Sequence, residues 1–397
     1  MRPFLGSDEG TAVSVIIIGA GLGGLCLAQG LRQAGIPCQV HERDPAPEFR
    51  KQGYRLHIDG AGDTALSEVL RPELHELFRA TAGRALPHTN VYDEQLRLLT
   101  RLEDEGTHLN INRFTLRQIL LHGQEVHYGK RFTHHKTDDD GVTAFFADGT
   151  SARGSLLVGA DGVNSPVRRQ HLPHAEVVDA GLVHLYGRIP LTADTRRLFD
   201  PEMFAVFSMA VSPERTMAGF APVDYPEPVA SAVTRLVPGI KLRDHDPYMT
   251  CAVGARREVL GRTDAELAAL SPDDLQKLAL GLVDGWHPRV RAFVEHWDVA
   301  ATFPQPIRTS VPVGPWEPSR VTLVGDAIHA MSPAGGAGAN TALRDGAALA
   351  SALAGAPLLE AVAAYESEMV DYGFAAVRES AENGRRFLGQ NPLTTGA

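Results

Sequence analysis

Gly19, Gly21 and Gly24, spaced G-x-G-x-x-G, are the residues whose types and spacing point most directly to chemistry. Each glycine serves a distinct physical need, in turn a tight bend, close approach of the backbone to a pyrophosphate, and close helix–strand packing. Glu42 follows roughly twenty residues on, after the apolar residues 38–40, where an acid can hold a ribose hydroxyl pair. Glycines and acid together suit the binding of a dinucleotide. A tight strand–helix turn without a ligand would share the glycines but would not need the acid.

The elements around these residues follow the same logic. Residues 13–18 form an uncharged run rich in Val and Ile, as in a strand buried on both faces of a parallel sheet. Leu25, Leu27, Ala28 and Leu31 continue it with a helical period. Residues 43–52 read as a loop, 54–58 as a short strand, and 63–70 and 73–80 as short helices. Asn112 is a candidate N-cap for a helix over 112–122, with Leu116, Ile119 and Leu120 on one face and Arg113 and Arg117 one turn apart. Two Asp-Gly turns mark a hairpin within 125–150, and the strand 156–159 runs straight into Ala160-Asp161-Gly162.

From about residue 175 the texture changes. Residues 182–189, 203–209 and 216–221 read as strands of a second, antiparallel sheet, followed by a helical region whose best segment is 272–282. Residues 320–325, RVTLVG, return to the buried-strand pattern and lead through Asp326 and the glycine-rich 332–340 into a helix over 341–354. Residues 358–388 are helical in pattern. The expected fold class is α/β: a Rossmann-type dinucleotide-binding domain, an inserted mixed-sheet domain and a C-terminal helix.

Composition narrows the function classes. A net charge of −10 gives no support to a nucleic-acid partner or an anionic membrane surface. No apolar run is long enough to span a bilayer, and the polar residues 1–12 do not read as a signal peptide. Cys26, Cys38 and Cys251 are too scattered for a disulfide framework or a metal site, which points to a reducing cytoplasm. The histidines are also scattered; His134-His135 reads as a solvated pair, and His329 as a packed loop residue or one facing a ligand.

Three stretches, GAGLGG at 19–24, GADGVNSPVRR at 159–169 and VGDAIHAMSPAGGAGAN at 324–340, together resemble the FAD-dependent class A flavoprotein monooxygenases of the para-hydroxybenzoate hydroxylase fold. The stretch INRFTLRQIL brings the chain nearest to the tetracycline-inactivating and salicylate-hydroxylase-like enzymes of that group. The resemblance implies one bound FAD, with NADPH or NADH as a transient reductant. It puts Gly19, Gly21 and Gly24 at the pyrophosphate and Glu42 on the adenosine ribose, with Leu22 and Arg43 also among the cofactor-binding residues. Arg117 then lies at the phosphate–ribityl region and Asp326 on the ribityl chain. Asp161 falls in an Asp-Gly motif associated with both FAD and the pyridine nucleotide, although Asp-Gly is also a common turn.

Pro333, Gly336, Gly338, Ala339 and Asn340 would bring backbone N–H groups and a helix N-terminus to the flavin ring, where partial positive charge stabilises an anionic reduced flavin. The family usually has Gly-Gln-Gly here, and this chain has Gly336-Ala337-Gly338. The implied division is a FAD-binding domain over 12–80, 98–174 and 308–355, a substrate domain over 81–97 and 175–307, and a C-terminal helix over 356–397.

The implied activity is hydroxylation of an aromatic or polycyclic small molecule by dioxygen through a flavin C4a-hydroperoxide, with no catalytic residue beyond the flavin and no metal. A monomer or weak dimer is expected, free of nucleic acid and membrane. Tyr186, Phe207 and Met217 are the candidate pocket residues, and each equally fits ordinary core. Arg188 and Arg308 are candidate partners for a phenolate or carboxylate, or surface ion pairs. Two other readings stay open: a flavin-dependent reductase or dehydrogenase of the same fold, and a non-catalytic flavin- or metabolite-binding protein.

Overall fold

The computed structural model describes residues 13–47, 49, 53–243 and 246–393. The tail expected at 1–12, together with residues 48 and 50–52 of the expected loop, lies outside the described residues. Among the described residues the strands form four sheets. The first is a five-stranded parallel sheet in the order Val321–Leu323, Leu156–Gly159, Val15–Ile18, Cys38–His41 and Val126–His127. Ile17 stands opposite Val158 on one side and Val40 on the other. Val15–Ile18 and Leu156–Gly159 are buried at every position, which is why both read as unbroken apolar runs.

The helices Leu22–Gln33 and Gly338–Gly355 pack against each other beside this sheet. Gly23 and Gly346 make the close approach possible: a Cβ on Gly346 would lie 2.7 Å from Leu27 N, and one on Gly23 would lie 3.0 Å from Ala342 O. The helix expected over 341–354 thus begins earlier and runs one residue later. The C-terminal helix, Leu358–Asn383, widens into a π-type turn over Gly384–Leu388, where the Gln390 side chain fills the space a Cβ on Gly384 would need.

The second layer is a seven-stranded sheet in the order Phe303–Ser310, Val177–Pro190, Tyr248–Arg256, Met217–Val223, Ala205–Val211, Leu86–Asp93 and Leu98–Glu103. It is antiparallel except where Ala205–Val211 runs parallel to Leu86–Asp93. Along Val177–Pro190 the pleat separates two environments. Val183, Leu185 and Ile189 enter the core beneath the helices Pro272–Leu282 and Pro288–Glu295, while Leu182 joins a second cluster with Phe207, Met209 and Met217 on the other face.

One expectation is corrected here. Tyr248–Arg256, in the region expected to be helical, is a central strand buried at eight of its nine positions. With both faces covered, its residues carry no alternation to betray it. Leu98–Glu103 pairs with Leu86–Asp93 at the edge of the seven-stranded sheet. Asp93 turns the chain by accepting from the amides of Gln95 and Arg97, both at 2.9 Å.

A small sheet of Arg55–Ile58, Leu109–Asn112 and Gly83–Arg84 joins the two layers. Asn110 Nδ2 donates to the Pro222 carbonyl of the large sheet at 2.8 Å. Among the described residues no helix is long and apolar enough to cross a membrane.

Candidate dinucleotide and substrate site

The strand Val15–Ile18 delivers the glycine turn to the C-terminal edge of the parallel sheet, where open α/β sheets bind ligands. Gly19 has φ +111°, and a Cβ there would collide with the Ala160 carbonyl; a Cβ on Gly24 would collide with the Gly19 carbonyl. Gly21 differs. Its Cβ would meet nothing nearer than Ala160 O at 4.0 Å, so a cradle stands open beside it. Gly21 is also the N-cap of Leu22–Gln33, with no side-chain cap and no acid in the first turn. The first amides of that helix are therefore free to receive an anion.

Glu42 is 8% exposed, and its two carboxylate oxygens accept from Ala20 N at 2.8 Å and Asp44 N at 2.9 Å. Each oxygen keeps a further lone pair. Arg117, equally buried, donates from Nε to Ala20 O at 2.9 Å and from Nη1 to Pro47 O at 2.7 Å. Ala20 is thus held by Glu42 through its amide and by Arg117 through its carbonyl. Leu22 is packed into the core, and Arg43 is exposed.

Two acids in this region keep carboxylate oxygens with no hydrogen-bond donor among the described residues. Asp161 Oδ2 accepts from Val167 N at 3.3 Å, while Oδ1 is buried with no hydrogen bond. Burial raises its pKa, against the bonds it receives. Asp326 opens the short helix Asp326–His329 after Gly325, and its carboxylate makes no hydrogen bond among the described residues. Its side chain remains open to solvent, yet the protein around it disfavours the charged form and raises its pKa, against the pull of His329 and Arg113. His329 itself faces away into the core, where its Nε2 meets Asp345 Oδ2.

The glycine-rich loop closes the other side. Pro333–Gly335 is a 3-10 turn capped by Ser332, and Gly336 has φ +64°. Ala337 begins Gly338–Gly355 without a side-chain cap or a first-turn acid, giving a second helix with free N-terminal amides. Ala339 packs against the core. Asn340 is tied to the backbone: its Nδ2 donates to His57 O at 3.1 Å and Gly336 O at 3.3 Å, and its Oδ1 accepts from Asp59 N at 3.2 Å. That side chain fixes the loop to the strand Arg55–Ile58.

On the substrate side, Tyr186 stacks on Phe303 with centroids 5.4 Å apart and approaches Tyr54 at 5.8 Å. Phe207 and Met217 lie in the apolar cluster that also receives Ala334 of the glycine loop and Phe387 and Leu388 of the C-terminal turn. The two arginines expected as anion partners are already engaged by carboxylates. Arg188 holds Asp298 at 2.7 Å, and Arg308 holds Asp179 at 3.1 Å as well as Asp264. Arg55 makes no salt bridge to a carboxylate among the described residues, and no local pattern in the sequence marks it.

These features suit a dinucleotide: free helix amides and an open cradle for a pyrophosphate, and acceptor acids for hydroxyl donors. The FAD binding domain family matches residues 109–257 and 307–379. The dual O-methyltransferase/FAD-dependent monooxygenase CTB3 of Cercospora beticola is 32% identical over 96% of this chain and 47% of its own length. The chain spans about half the length of the first curated relatives it matches. The FAD-dependent monooxygenase thnD of Trichoderma harzianum is 28% identical over 96% of this chain and 95% of its own. A crystal structure assigned to an FAD-containing monooxygenase of Photorhabdus luminescens superposes with a TM-score of 0.81 and 31% identity, covering 95% of this chain and 98% of that one.

Proposed function

The chain belongs to the FAD-binding-domain family of class A flavoprotein monooxygenases, and on that premise we propose that it oxygenates an aromatic or polycyclic small molecule, using NADPH or NADH and dioxygen. The observation that carries this reading is Asp326, an acceptor with no donor among the described residues, set between the parallel sheet and a helix with free N-terminal amides. When bound, the flavin supplies the activation of dioxygen. The protein's part is to bind, orient and exclude water.

The N-terminus of Leu22–Gln33 receives the pyrophosphate, with Glu42 at the ribose and Asp326 at the ribityl hydroxyls. Asp161 offers its free Oδ1 at the same edge. The amides that open Gly338–Gly355 would hold the flavin ring, where their partial positive charge would favour negative charge on it. Phe207 and Met217 form the apolar wall of the substrate space, and Tyr186 lines it beside Phe303.

The test has two readouts. Purified protein should carry about one FAD, released on denaturation. In air, a panel of phenols, polycyclic polyketides and indoles should include ligands that stimulate NADPH oxidation and gain one atom of label from labelled dioxygen. Colourless protein that takes up no FAD overturns the reading. Coupled oxidation with no label in any product makes the enzyme a reductase or dehydrogenase.

A further inference from the structure

Arg55 is a cation with neutral company. It stands on Arg55–Ile58, two residues from His57 and so on the same face of the pleat. Its Nε and Nη2 both donate to Asn110 Oδ1, at 3.1 and 2.7 Å, and Nη2 also donates to the Val206 carbonyl. Nη1 makes no hydrogen bond among the described residues, and it is not sealed from solvent.

The titratable groups that face Arg55 are Tyr186, Tyr248 and His57. None carries a negative charge at neutral pH. Burial pushes Tyr186 up to about 12 and Tyr248 higher still, while burial, Arg55 and His108 push His57 down to about 3. Burial lowers Arg55 itself to about 10, so it stays charged at neutral pH, and no carboxylate among the described residues bonds to it. A desolvated charge is costly unless it is paired. Here three of the five N–H groups are fixed by an amide and a carbonyl, which hold the guanidinium plane while its Nη1 edge remains open.

We propose that Arg55 is a substrate-recognition residue whose Nη1 edge binds a phenolate or enolate oxygen of an aromatic substrate lying against Tyr186, Phe303 and Tyr54. The proposal rests on the reading of the site as that of an aromatic monooxygenase. It gives the aromatic group a chemical requirement: an oxygen that ionises when the ligand binds, with its proton released to solvent. Val206, whose carbonyl orients Arg55, adjoins Phe207, so the strand that orients the anchor also carries part of the apolar wall.

The probe is 4-nitrophenol, whose phenol and phenolate absorb at different wavelengths. Titrated with excess FAD-loaded protein, and again after FAD removal, the bound probe should ionise at least one pH unit below the free probe. That equals about tenfold preference for the phenolate. The facing tyrosines and histidine titrate far from this window, so the shift reports on Arg55.

Arg55→Met should abolish the shift, and Arg55→Lys should keep part of it. Should Arg55→Met fail to fold, Arg55→Gln takes its place beside Arg55→Lys. An unshifted probe, an equal shift in the uncharged variant, or no saturable binding to the parent protein overturns the proposal. Failure of the monooxygenase reading shows itself separately, as absent FAD uptake or absent label from dioxygen, and leaves the optical shift where it was.

Discussion

His329 Nε2 and Asp345 Oδ2 lie 2.6 Å apart, and neither side chain reaches solvent. The same carboxylate accepts from Gly325 N and from the Tyr372 hydroxyl, both at 2.6 Å. Burial alone would lower the His329 pKa, but Asp345 and then Asp326 raise it above its ordinary value. A histidine whose folded pKa lies above its unfolded value, about 6.5, contributes fully below that value and loses its contribution as pH rises through the folded pKa.

Stability from this pair is therefore expected to be greatest in mildly acid solution and to decline on the alkaline side of about 6.5. Urea unfolding across that range measures it. Asp345→Asn should cost about 3–5 kcal/mol and flatten the decline, because it leaves the imidazolium buried without its counter-charge. A pH profile that Asp345→Asn leaves unchanged shows that His329 is neutral in the native protein.

Gly19 and Gly21 should separate folding from binding. Gly19→Ala forces a side chain into φ +111° and against the Ala160 carbonyl, so it should unfold the protein or destabilise it by more than the roughly 1 kcal/mol that an unstrained glycine exchange adds to stability. Gly21→Ala has open space and should leave the melting temperature of the flavin-free protein within a degree or two, about 0.5 kcal/mol. Its methyl group enters the cradle, so FAD affinity should fall at least tenfold. Equal FAD affinity in Gly21→Ala places the pyrophosphate elsewhere.

Asp326 should matter to the ligand and little to the fold, because it makes no hydrogen bond to the protein. Asp326→Leu should stay folded by circular dichroism and lose FAD, at about 1.5–3 kcal/mol for each charge-assisted bond removed. Asp326→Asn retains one acceptor oxygen and should bind at an intermediate level. Full flavin content in Asp326→Leu would assign the ribityl contact to another residue.

Glu42 should behave differently, because it holds the glycine turn as well as facing the cleft. Glu42→Ala frees the amides of Ala20 and Asp44. It should therefore lower both thermal stability and FAD affinity, the latter by about 1–3 kcal/mol. Glu42→Gln keeps an acceptor and should recover much of the stability. Calorimetric binding of FAD to both variants decides whether the loss of affinity follows the loss of the turn.

The parts that were legible in the sequence are those built from neighbours. Val15–Ile18, Leu22–Gln33 and Cys38–His41 could be read because burial, turn and helix period all lie within one short stretch. Tyr248–Arg256 could not, because a strand covered on both faces and containing Thr, Cys, Ala and Gly shows no alternation. Arg188 and Arg308 looked available to a ligand only because Asp298, Asp179 and Asp264 are brought to them by tertiary folding. Arg55 escaped notice for the converse reason. The absence of a carboxylate from its surroundings is a property of the assembled sheets, and no spacing in the chain records it.

Val321–Leu323 is the outer neighbour of Leu156–Gly159, although the two are separated by the whole of the inserted sheet. On a ribosome, Leu156–Gly159 emerges long before its partner and exposes an apolar strand edge through the synthesis of everything between them. The carboxylate of Asp326 arrives later still, immediately behind the missing strand. With the ribityl contact assigned to Asp326 as proposed above, flavin capture follows the closure of this sheet. A cell short of flavin should accumulate chains that have closed their sheet with nothing in the cleft, rather than chains arrested halfway.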